Sequence, residues 1–396
     1  MFLQIRRFLV YMPLLKSFLR VILNLSRFIF FYIRVNRCKL EKGFSISKVG
    51  SASDLNFFGY YNKSPISRDG TNLLTHNLIN EQCYISIASI NKIEKIIPIV
   101  ETTAFNFQQG SMLQWVNNEV FIFNDFIDET LMARIYDIHG NNVCNLVDPV
   151  EEVSHEGDFY LSIDFNSLTE NKSEYGYSKL CPRLKLLNNK KKGIVYCDIK
   201  TKISRLVVSK QDLRDLNNNI NIDYDEINHL MISPDDNSFI FIYRYYRQGK
   251  RESMLYHYNF QTRSIKLISS GIISHFCWFD SDNIFIWLNT AKNKGYCLFN
   301  IKKGSWTNIL NISDGHPTML NESTIVSDSY PSAFGEIHLY SIYGTKIENI
   351  AKISSKPNFN SDLRCDLHPR VFKDIISIDS NFSGKRSQYL IYKNAS

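Results

Sequence analysis

Four histidines recur at equivalent places in the sequence, each just before a short run of alternating apolar residues. His229 precedes ISPDD, His275 precedes CWFDSD, His316 lies in DGHP before TMLNE, and His368 lies in DLHPR. Neutral imidazoles combined with a carboxylate suit a divalent transition metal. We therefore expect one divalent ion, manganese or another transition metal, held by four side chains: His275, His316, His368 and Asp366.

The same motifs contain arginines, which allow a second chemistry. A guanidinium fork binds a carboxylate or a phosphate through two parallel hydrogen bonds. A general base paired with such an anion clamp is therefore the alternative to a metal centre. We predict His229, Asp366 and Arg364 as catalytic residues, and we assign four further arginines to substrate binding: Arg244, Arg251, Arg370 and Arg386.

A further group of polar and aromatic residues has the composition of a saccharide site. Tyr60 and Tyr61 in GYYNKSP and Gln109 in QQGSMLQW precede earlier strand runs, and Asn228 directly precedes His229. Aromatic faces stack on sugar rings, and amides bind hydroxyl groups. We expect all four residues to bind substrate, with Tyr60, Tyr61 and Gln109 on the side of the fold opposite the histidines.

One recurring unit defines the elements that would position these side chains. Each copy is a polar or proline-containing turn followed by two strands with apolar residues at alternate positions. Seven copies begin at Ser64, Gln114, Gly157, Ile232, Cys277, Thr318 and Arg370. Strand repeats of this period indicate blades of four-stranded sheet arranged around one axis. The sequence therefore predicts an all-β fold, a seven-bladed β-propeller in which the four histidines meet near the axis; the alternative is a pair of β-sandwiches.

Charge is concentrated at the N-terminus. The 396-residue chain has a net charge of +7, but residues 1–35 contain six basic residues and no acidic one. The remainder has 40 basic against 39 acidic residues, so it lacks the cationic surface of a nucleic-acid-binding protein. The eight cysteines include no C-x-x-C pair, which predicts reduced thiols and a cytoplasmic location.

Residues 1–35 have the pattern of an amphipathic helix that lies on a membrane surface. Their longest uncharged run is eight residues, too short to span a bilayer. Four cations spaced by four and seven residues share one side of such a helix: Lys16, Arg20, Arg27 and Arg34. On an anionic membrane, these cations would contact headgroups. We predict a surface helix at 1–35, a propeller domain at 36–396 and peripheral association with the inner face of the cell membrane; the alternative is a helix packed on the protein's own body.

At the histidine motifs the sequence resembles the oligogalacturonate lyases, seven-bladed propellers that cleave polyuronate by metal-dependent β-elimination. The matching segments are NHLMISPDD, SHFCWFDSD, DGHPTMLNE and CDLHPRVF, within a resemblance that spans roughly residues 55–393. It implies that His229 abstracts the proton and that His275 and His368 lie at metal-binding blade starts. Two ligand positions differ, since Asp366 stands where the lyases have a histidine and Leu363 where they have a glutamine.

The fuller motif set, which adds GYYNKSP, QGSMLQW and GKRSQY, resembles bacterial propeller proteins of polysaccharide loci that often carry the label glycosyltransferase. This resemblance implies a carbohydrate-active protein of surface polysaccharide biosynthesis at the cytosolic membrane face, with a lipid-linked or nucleotide-activated saccharide as substrate. Two alternatives stay open: a polyuronate lyase, and a non-catalytic glycan-binding or scaffold propeller. The sequence contains no Gly-rich phosphate loop and no G-x-S-x-G or H-E-x-x-H motif that would indicate another enzyme class.

Overall fold

The computed structural model describes residues 13–34, 37–171, 174–177, 193–217, 222–357 and 363–394. Within these residues the helices are α1 (Pro13–Ile33), α2 (Phe165–Asn171) and α3 (Lys210–Leu216), with a 3-10 turn at Ile90–Lys92. The remaining regular structure consists of strands, which confirms the predicted all-β class.

The strands follow in chain order: β1 (Cys38–Leu40), β2 (Phe44–Lys48), β3 (Leu55–Phe57), β4 (Asn72–Ile79), β5 (Gln82–Ser89), β6 (Ile97–Thr102), β7 (Gln114–Trp115), β8 (Val120–Ile127), β9 (Thr130–Asp137), β10 (Asn142–Leu146), β11 (Glu152–Val153), β12 (Phe159–Ser162), β13 (Gly193–Asp198), β14 (Ser204–Ser209), β15 (Tyr224–Ile232), β16 (Ser238–Arg247), β17 (Lys250–Asn259), β18 (Ser264–Trp278), β19 (Asn283–Asn289), β20 (Lys294–Asn300), β21 (Ser305–Leu310), β22 (Thr318–Met319), β23 (Thr324–Asp328), β24 (Glu336–Tyr343), β25 (Lys346–Ser354), β26 (Arg370–Phe372), β27 (Ile375–Ser380) and β28 (Ser387–Lys393).

Consecutive strands pair into antiparallel sheets. Strands β3–β6, β7–β10 and β11–β14 each form a four-stranded sheet, and β15–β21 form a seven-stranded one. The long strand β18 belongs to both halves of that large sheet, because Ser264–Gly271 pairs with β17 and Ile272–Trp278 pairs with β19. Strands from the beginning of the chain complete the last two sheets: β1 pairs with β25, and β2 pairs with β28.

The sheets follow one another around a common axis. The first strands of the sheets, together with β18 in the middle of the large sheet, are in contact in chain order: β7 with β11, β11 with β15, β15 with β18, β18 with β22 and β22 with β26. The ring closes between the sheet that contains β28 and the sheet that begins with β3. There β28 contacts β3, and Asp379 of β27 accepts hydrogen bonds from the backbone N–H groups of Phe58 and Gly59. This arrangement is that of a β-propeller.

The core lies between neighbouring sheets, and β16 shows why the sequence folds this way. Phe239 and Phe241 on one face of this strand pack with apolar side chains of the β11–β14 sheet. Ile240 and Ile242 on the other face pack with Ile286 and its neighbours on the following strands. A strand covered on both faces needs a continuous apolar run rather than an alternating one, as its sequence SFIFIY provides.

Helix α1 packs through its basic side on the loop between β23 and β24. Arg27 donates to the backbone carbonyls of Ser332 and Pro331, and Arg34 forms an ion pair with Glu336 at an N–O distance of 2.8 Å. These two arginines thus bind the protein itself, whereas the sequence led us to expect them at lipid headgroups. The difference arises because the loop offers carbonyl acceptors and the first residue of β24 offers a carboxylate, and only the folded chain brings these acceptors to the helix. Residues 1–12 of the predicted surface helix, and the side chains of Lys16 and Arg20, lie outside what the structure describes.

Among the described residues, none of the helices combines the length and the apolar character needed to cross a membrane.

Candidate metal and saccharide site

Irregular pairing of the strands positions two of the histidines. In β15 the pairing with β16 shifts between Asn228 and Met231, and His229 lies in this bulge with a backbone φ of +51°. In β18 a similar shift in the pairing with β19 occurs around His275. A bulge bends its strand and redirects the extra side chain. Because a left-handed φ is unfavourable for a residue with a Cβ atom, the surrounding packing must hold His229 in place.

The four imidazoles form a continuous row. His316 and His368 lie just before β22 and β26, and His368 also has a left-handed φ, of +44°. Adjacent ring centroids are 5.2 Å apart for His229 and His275, 4.3 Å for His275 and His316, and 4.4 Å for His316 and His368. The structure therefore brings together four side chains that are far apart in the sequence.

Three side chains at one end of the row are close enough to share a metal ion. One ligand atom each of His316, Asp366 and His368 lies within 4.8 Å of the others. The Nδ1–H of His316 donates to the Asp328 carboxylate at 2.8 Å, and the Nδ1–H of His368 donates to the backbone carbonyl of Gly59 at 3.0 Å. With the ring protons on Nδ1, each Nε2 keeps the lone pair that a metal requires, an arrangement typical of metal-binding histidines.

Burial keeps these rings in the neutral form that binds metals. It lowers the pKa of His316 to about 3, an effect that the neighbouring His275 reinforces, and it lowers the pKa of His368 well below its usual value. Two neutral imidazoles and one carboxylate fit a divalent transition metal. His275, the fourth expected ligand, lies beside this set, with its Nδ1 3.3 Å from the Asp314 carboxylate and its ring against His316.

The segment at residues 58–65, which we call the channel segment, lies against the row of histidines. The Tyr60 hydroxyl forms a hydrogen bond with Nδ1 of His229, and the Tyr61 hydroxyl donates to the backbone carbonyl of Phe276 at 2.8 Å. Both tyrosines are only 2% exposed, and histidine rings lie against both of them. Their faces are therefore not available to stack on a sugar. This corrects the expectation that they bind substrate on the opposite side, because they support the histidines instead.

The channel segment also carries a buried ion pair. Nζ of Lys63 lies 2.6 Å from Oε2 of Glu152, and the Asn62 side chain donates to the same oxygen at 2.9 Å. Burial raises the pKa of Glu152, and the positive charge of Lys63 opposes this rise. The pair joins the channel segment to β11, the first strand of a sheet that is not its own.

A cavity of about 750 Å³ lies beside His229 and His275. Its lining includes four cationic side chains, Arg244, Arg251, Lys294 and Arg364, and three aromatic ones, Tyr175, Trp287 and Tyr330. The lining contains two carboxylates, those of Glu174 and Asp314, so its cations outnumber its anions. A wall of this kind suits an anionic ligand with a ring that stacks on aromatic side chains.

Ion pairs hold two of the cavity arginines in position. Nε of Arg364 lies 2.8 Å from Oδ2 of Asp366, and its Nη2 donates to the Gln108 side chain at 3.2 Å. Arg244 lies 3.8 Å from the carboxylate of Glu226, which is fully buried. Asp366 is itself buried and lies between Arg364 and the histidines, so its position fits a metal ligand better than a proton acceptor for a substrate in the cavity.

Two arginines predicted to bind substrate are structural. Arg370 is 1% exposed, and its guanidinium donates to the Asp379 carboxylate and to the backbone carbonyl of Gly59. Arg386 donates to three backbone carbonyls, those of Phe107, Leu363 and Arg364. These contacts satisfy acceptors that converge only in the folded ring, so both predictions are corrected.

Gln109 and Asn228 are also buried away from the cavity lining, and Oδ1 of Asn228 accepts the backbone N–H of His229. In their place the structure supplies Trp287 and Lys294, which the sequence analysis missed. These two lie on β19 and β20, whereas in this repeated unit we considered only the histidine that precedes it, His275. The sequence contains a signal that could have identified Trp287 and Lys294, because both lie close to one strand-to-strand turn, residues 290–293, on either side of it.

Comparison with known proteins identifies the fold. No protein-family model matches the sequence, and no curated protein is similar to it. The crystal structure of an oligogalacturonate lyase from Vibrio parahaemolyticus is similar with a TM-score of 0.62 and 12% identity, covering 90% of this chain and 96% of that one. The β-propeller domain of the Trilobed protease from Pyrococcus furiosus has a TM-score of 0.51 and 9% identity, covering 86% of this chain and 97% of that one. At these identities the likeness shows a β-propeller fold alone.

Proposed function

We propose that this protein is a metal-dependent enzyme that cleaves a uronate-containing saccharide by β-elimination. The observation that carries the proposal is the cavity with four cationic side chains next to the candidate ligands His316, Asp366 and His368. Each uronate sugar carries one carboxylate, so a cationic wall attracts and orients such a chain. The likeness in fold to an oligogalacturonate lyase agrees with this assignment, but the assignment does not rest on it.

His229 is the base in this proposal. It takes the proton from the carbon next to the uronate carboxylate, and the electron pair forms a double bond to the adjacent carbon as the glycosidic C–O bond there breaks. The released oxygen takes up a proton from water and leaves as a hydroxyl group. In the tautomer that this role requires, the Nδ1–H of His229 donates to the Tyr60 hydroxyl and Nε2 carries the lone pair that accepts the proton. Burial raises the pKa of Tyr60 well above its usual value, so the phenol stays neutral and orients the ring. A divalent ion at His316, Asp366 and His368 supplies positive charge that makes this proton more acidic.

A glycosyltransferase of polysaccharide assembly, the first choice from the sequence, is the second candidate. The specific observation in its favour is again the cationic wall, because Arg244, Arg251, Lys294 and Arg364 would equally bind a leaving diphosphate. We place it second because Asp366, which the sequence led us to predict as a catalytic residue, is buried in an ion pair with Arg364.

The proposal includes a seven-bladed ring. The seven-stranded sheet supports two blades that share β18, since the strand changes partner between Gly271 and Ile272. With the five other sheets formed by the described strands, this division gives seven.

The test measures metal content and product together. The full chain is stripped with a chelator, reloaded with Mn²⁺ and incubated with polygalacturonate while the absorbance of unsaturated product is followed. We expect activity to require the metal. His316→Ala should lower metal affinity by at least the ~10- to 100-fold typical of changes around a metal ligand, because it removes a nitrogen donor.

The matched control is His139→Ala, which removes an exposed histidine in the turn after β9 and should change neither quantity. Metal-dependent transfer of sugar from a nucleotide donor, without unsaturated product, would instead establish the transferase. Saccharide binding without turnover of either substrate would leave the glycan-binding alternative.

A further inference from the structure

Helix α1 presents an apolar stripe on the side that faces away from the propeller. Phe18, Ile22, Leu25, Ile29 and Ile33 are spaced by four, three, four and four residues, so their side chains share one side of the helix. They are between 45% and 69% exposed. At 100° per residue, Arg27 and Arg34 lie on the opposite side, where they bind the loop between β23 and β24.

We propose that this apolar stripe docks on a lipid bilayer. The stripe extends over about 22 Å of helix without a polar residue, a continuous apolar surface that soluble monomers rarely expose. The segment that carries it, residues 1–35, has six basic residues and no acidic one, so its charge is complementary to anionic headgroups. An amphipathic helix of this kind binds in the plane of the membrane, with its apolar side among the acyl chains.

The orientation differs from that of a simple interfacial helix, in which the cations on the polar side contact headgroups. Here Arg27 and Arg34 fix the helix to the protein, so the side chains inserted into lipid carry most of the binding. We therefore expect binding that persists at high salt, because apolar insertion is not screened by ions whereas attraction to headgroups is.

Docking would bring the cavity close to the membrane. The loop at residues 329–335 contacts α1 through Arg27 at Ser332 and through the ring of Phe334, whose centroid lies 4.9 Å from that of Phe30. The same loop carries Tyr330, which lines the cavity and whose ring centroid lies 5.6 Å from that of His316. One short loop thus joins the proposed lipid-binding helix to the cavity wall.

The experiment is flotation of the full chain with vesicles of phosphatidylcholine alone or mixed with phosphatidylglycerol, at low and high salt. We expect wild type to float with the mixed vesicles and to stay bound at high salt. The triple variant Ile22→Ser, Leu25→Ser, Ile29→Ser should lower the partition coefficient about tenfold or more, because it removes most of the inserted apolar surface. Its melting temperature should match wild type, since all three side chains are exposed.

A matched triple variant controls for exposed apolar surface elsewhere. Val147→Ser, Ile203→Ser, Leu206→Ser changes residues that are 45% to 73% exposed on the propeller and should leave flotation unchanged. The proposal is overturned if wild type fails to float. Two results would then identify another occupant of the apolar stripe. If wild type is a dimer and the first triple variant is a monomer, the stripe binds a second copy of the chain. If the protein floats only after deletion of residues 1–12, the stripe binds that segment. None of these measurements depends on the proposed catalytic activity.

Discussion

At the scale of single residues, the arrangement of the histidines depends on the partner of each Nδ1 atom. Asp328 holds His316, the Gly59 carbonyl holds His368, and Asp314 lies near His275. A fixed Nδ1–H sets both the tautomer and the ring orientation. His229 differs, because its Nδ1 partner is the Tyr60 hydroxyl, which can donate or accept. This difference separates the proposed base from the proposed metal ligands.

The first prediction tests that separation. His229→Gln should retain the fold and saccharide binding, because the amide keeps a hydrogen-bonding group beside Tyr60. It should lower kcat by ~10²- to 10⁴-fold with little change in KM, since a base acts only in the chemical step. Steady-state kinetics on polygalacturonate, the proposed substrate, measure both constants. His257→Gln, which changes a buried histidine outside the cavity lining, is the control. An unchanged kcat in His229→Gln would remove His229 from the mechanism.

At the scale of elements, the channel segment has a central position because it contacts several sheets. Tyr60 bonds His229 of β15, Tyr61 bonds the backbone of β18, and Gly59 accepts from Arg370 of β26. A short connection between β3 and β4 thereby takes part in holding together strands distant in the sequence. Its contacts are polar and buried, so the loss of one partner leaves another polar group unsatisfied.

The second prediction concerns the ion pair of this segment. Lys63→Met should destabilise the protein by about 3–5 kcal/mol, because it leaves the buried carboxylate of Glu152 without its cation. The double variant Lys63→Met, Glu152→Met should recover much of this loss, since two apolar side chains can fill the same space. Urea unfolding measures the free energies. Equal losses in the single and double variants would show that packing, rather than the unpaired charge, causes the effect.

The pH dependence gives an independent check on the same pair. Burial raises the folded-state pKa of Glu152 above its unfolded value, so the folded protein binds more protons through this group. A carboxyl whose pKa is higher in the folded state lowers the free energy of unfolding when the pH is above its unfolded pKa. Below that pKa it has no such effect. The loss in Lys63→Met should therefore shrink as pH falls from neutral towards about 4 to 5, where the unfolded carboxyl titrates.

At the scale of the whole molecule, strands from the two ends of the chain close the ring. β2 pairs with β28 over Phe44–Lys48, and β1 pairs with β25 over Cys38–Leu40. Helix α1 lies outside these sheets and contacts the protein mainly through two arginines and the rings of Phe30 and Phe31. The closing strands and the helix should therefore contribute differently to stability.

The third prediction separates these contributions by truncation. Deletion of residues 1–35 should leave a cooperatively folded propeller, because the lost Arg34–Glu336 pair is partly exposed and such pairs are worth about 1 kcal/mol or less. Deletion of residues 1–48 should abolish cooperative unfolding, because it exposes the edges of two sheets and opens the ring. Thermal melts followed by circular dichroism distinguish the two. Failure of the first truncation to fold would place the helix within the domain.

The sequence by itself determined what depends on local geometry. Alternating apolar residues and turn motifs predicted strands in recurring units. The four histidines could be singled out because each precedes such a unit, and a repeated fold places equivalent positions near one axis. The role of each histidine stays a proposal that the experiments above address.

The tertiary structure alone decided which polar side chains face a cavity and which support the fold. Arg370 and Arg364 lie in one motif, yet the first is buried against Asp379 and Gly59 while the second lines the cavity. Nothing in their spacing distinguishes them, because the acceptors that bind Arg370 come from segments remote in the chain. The same holds for Arg27 of α1, whose partners lie about three hundred residues away. The spacing of apolar residues indicates which backbone segments form strands, whereas the exposure of a charged group depends on which distant acceptors fold against it.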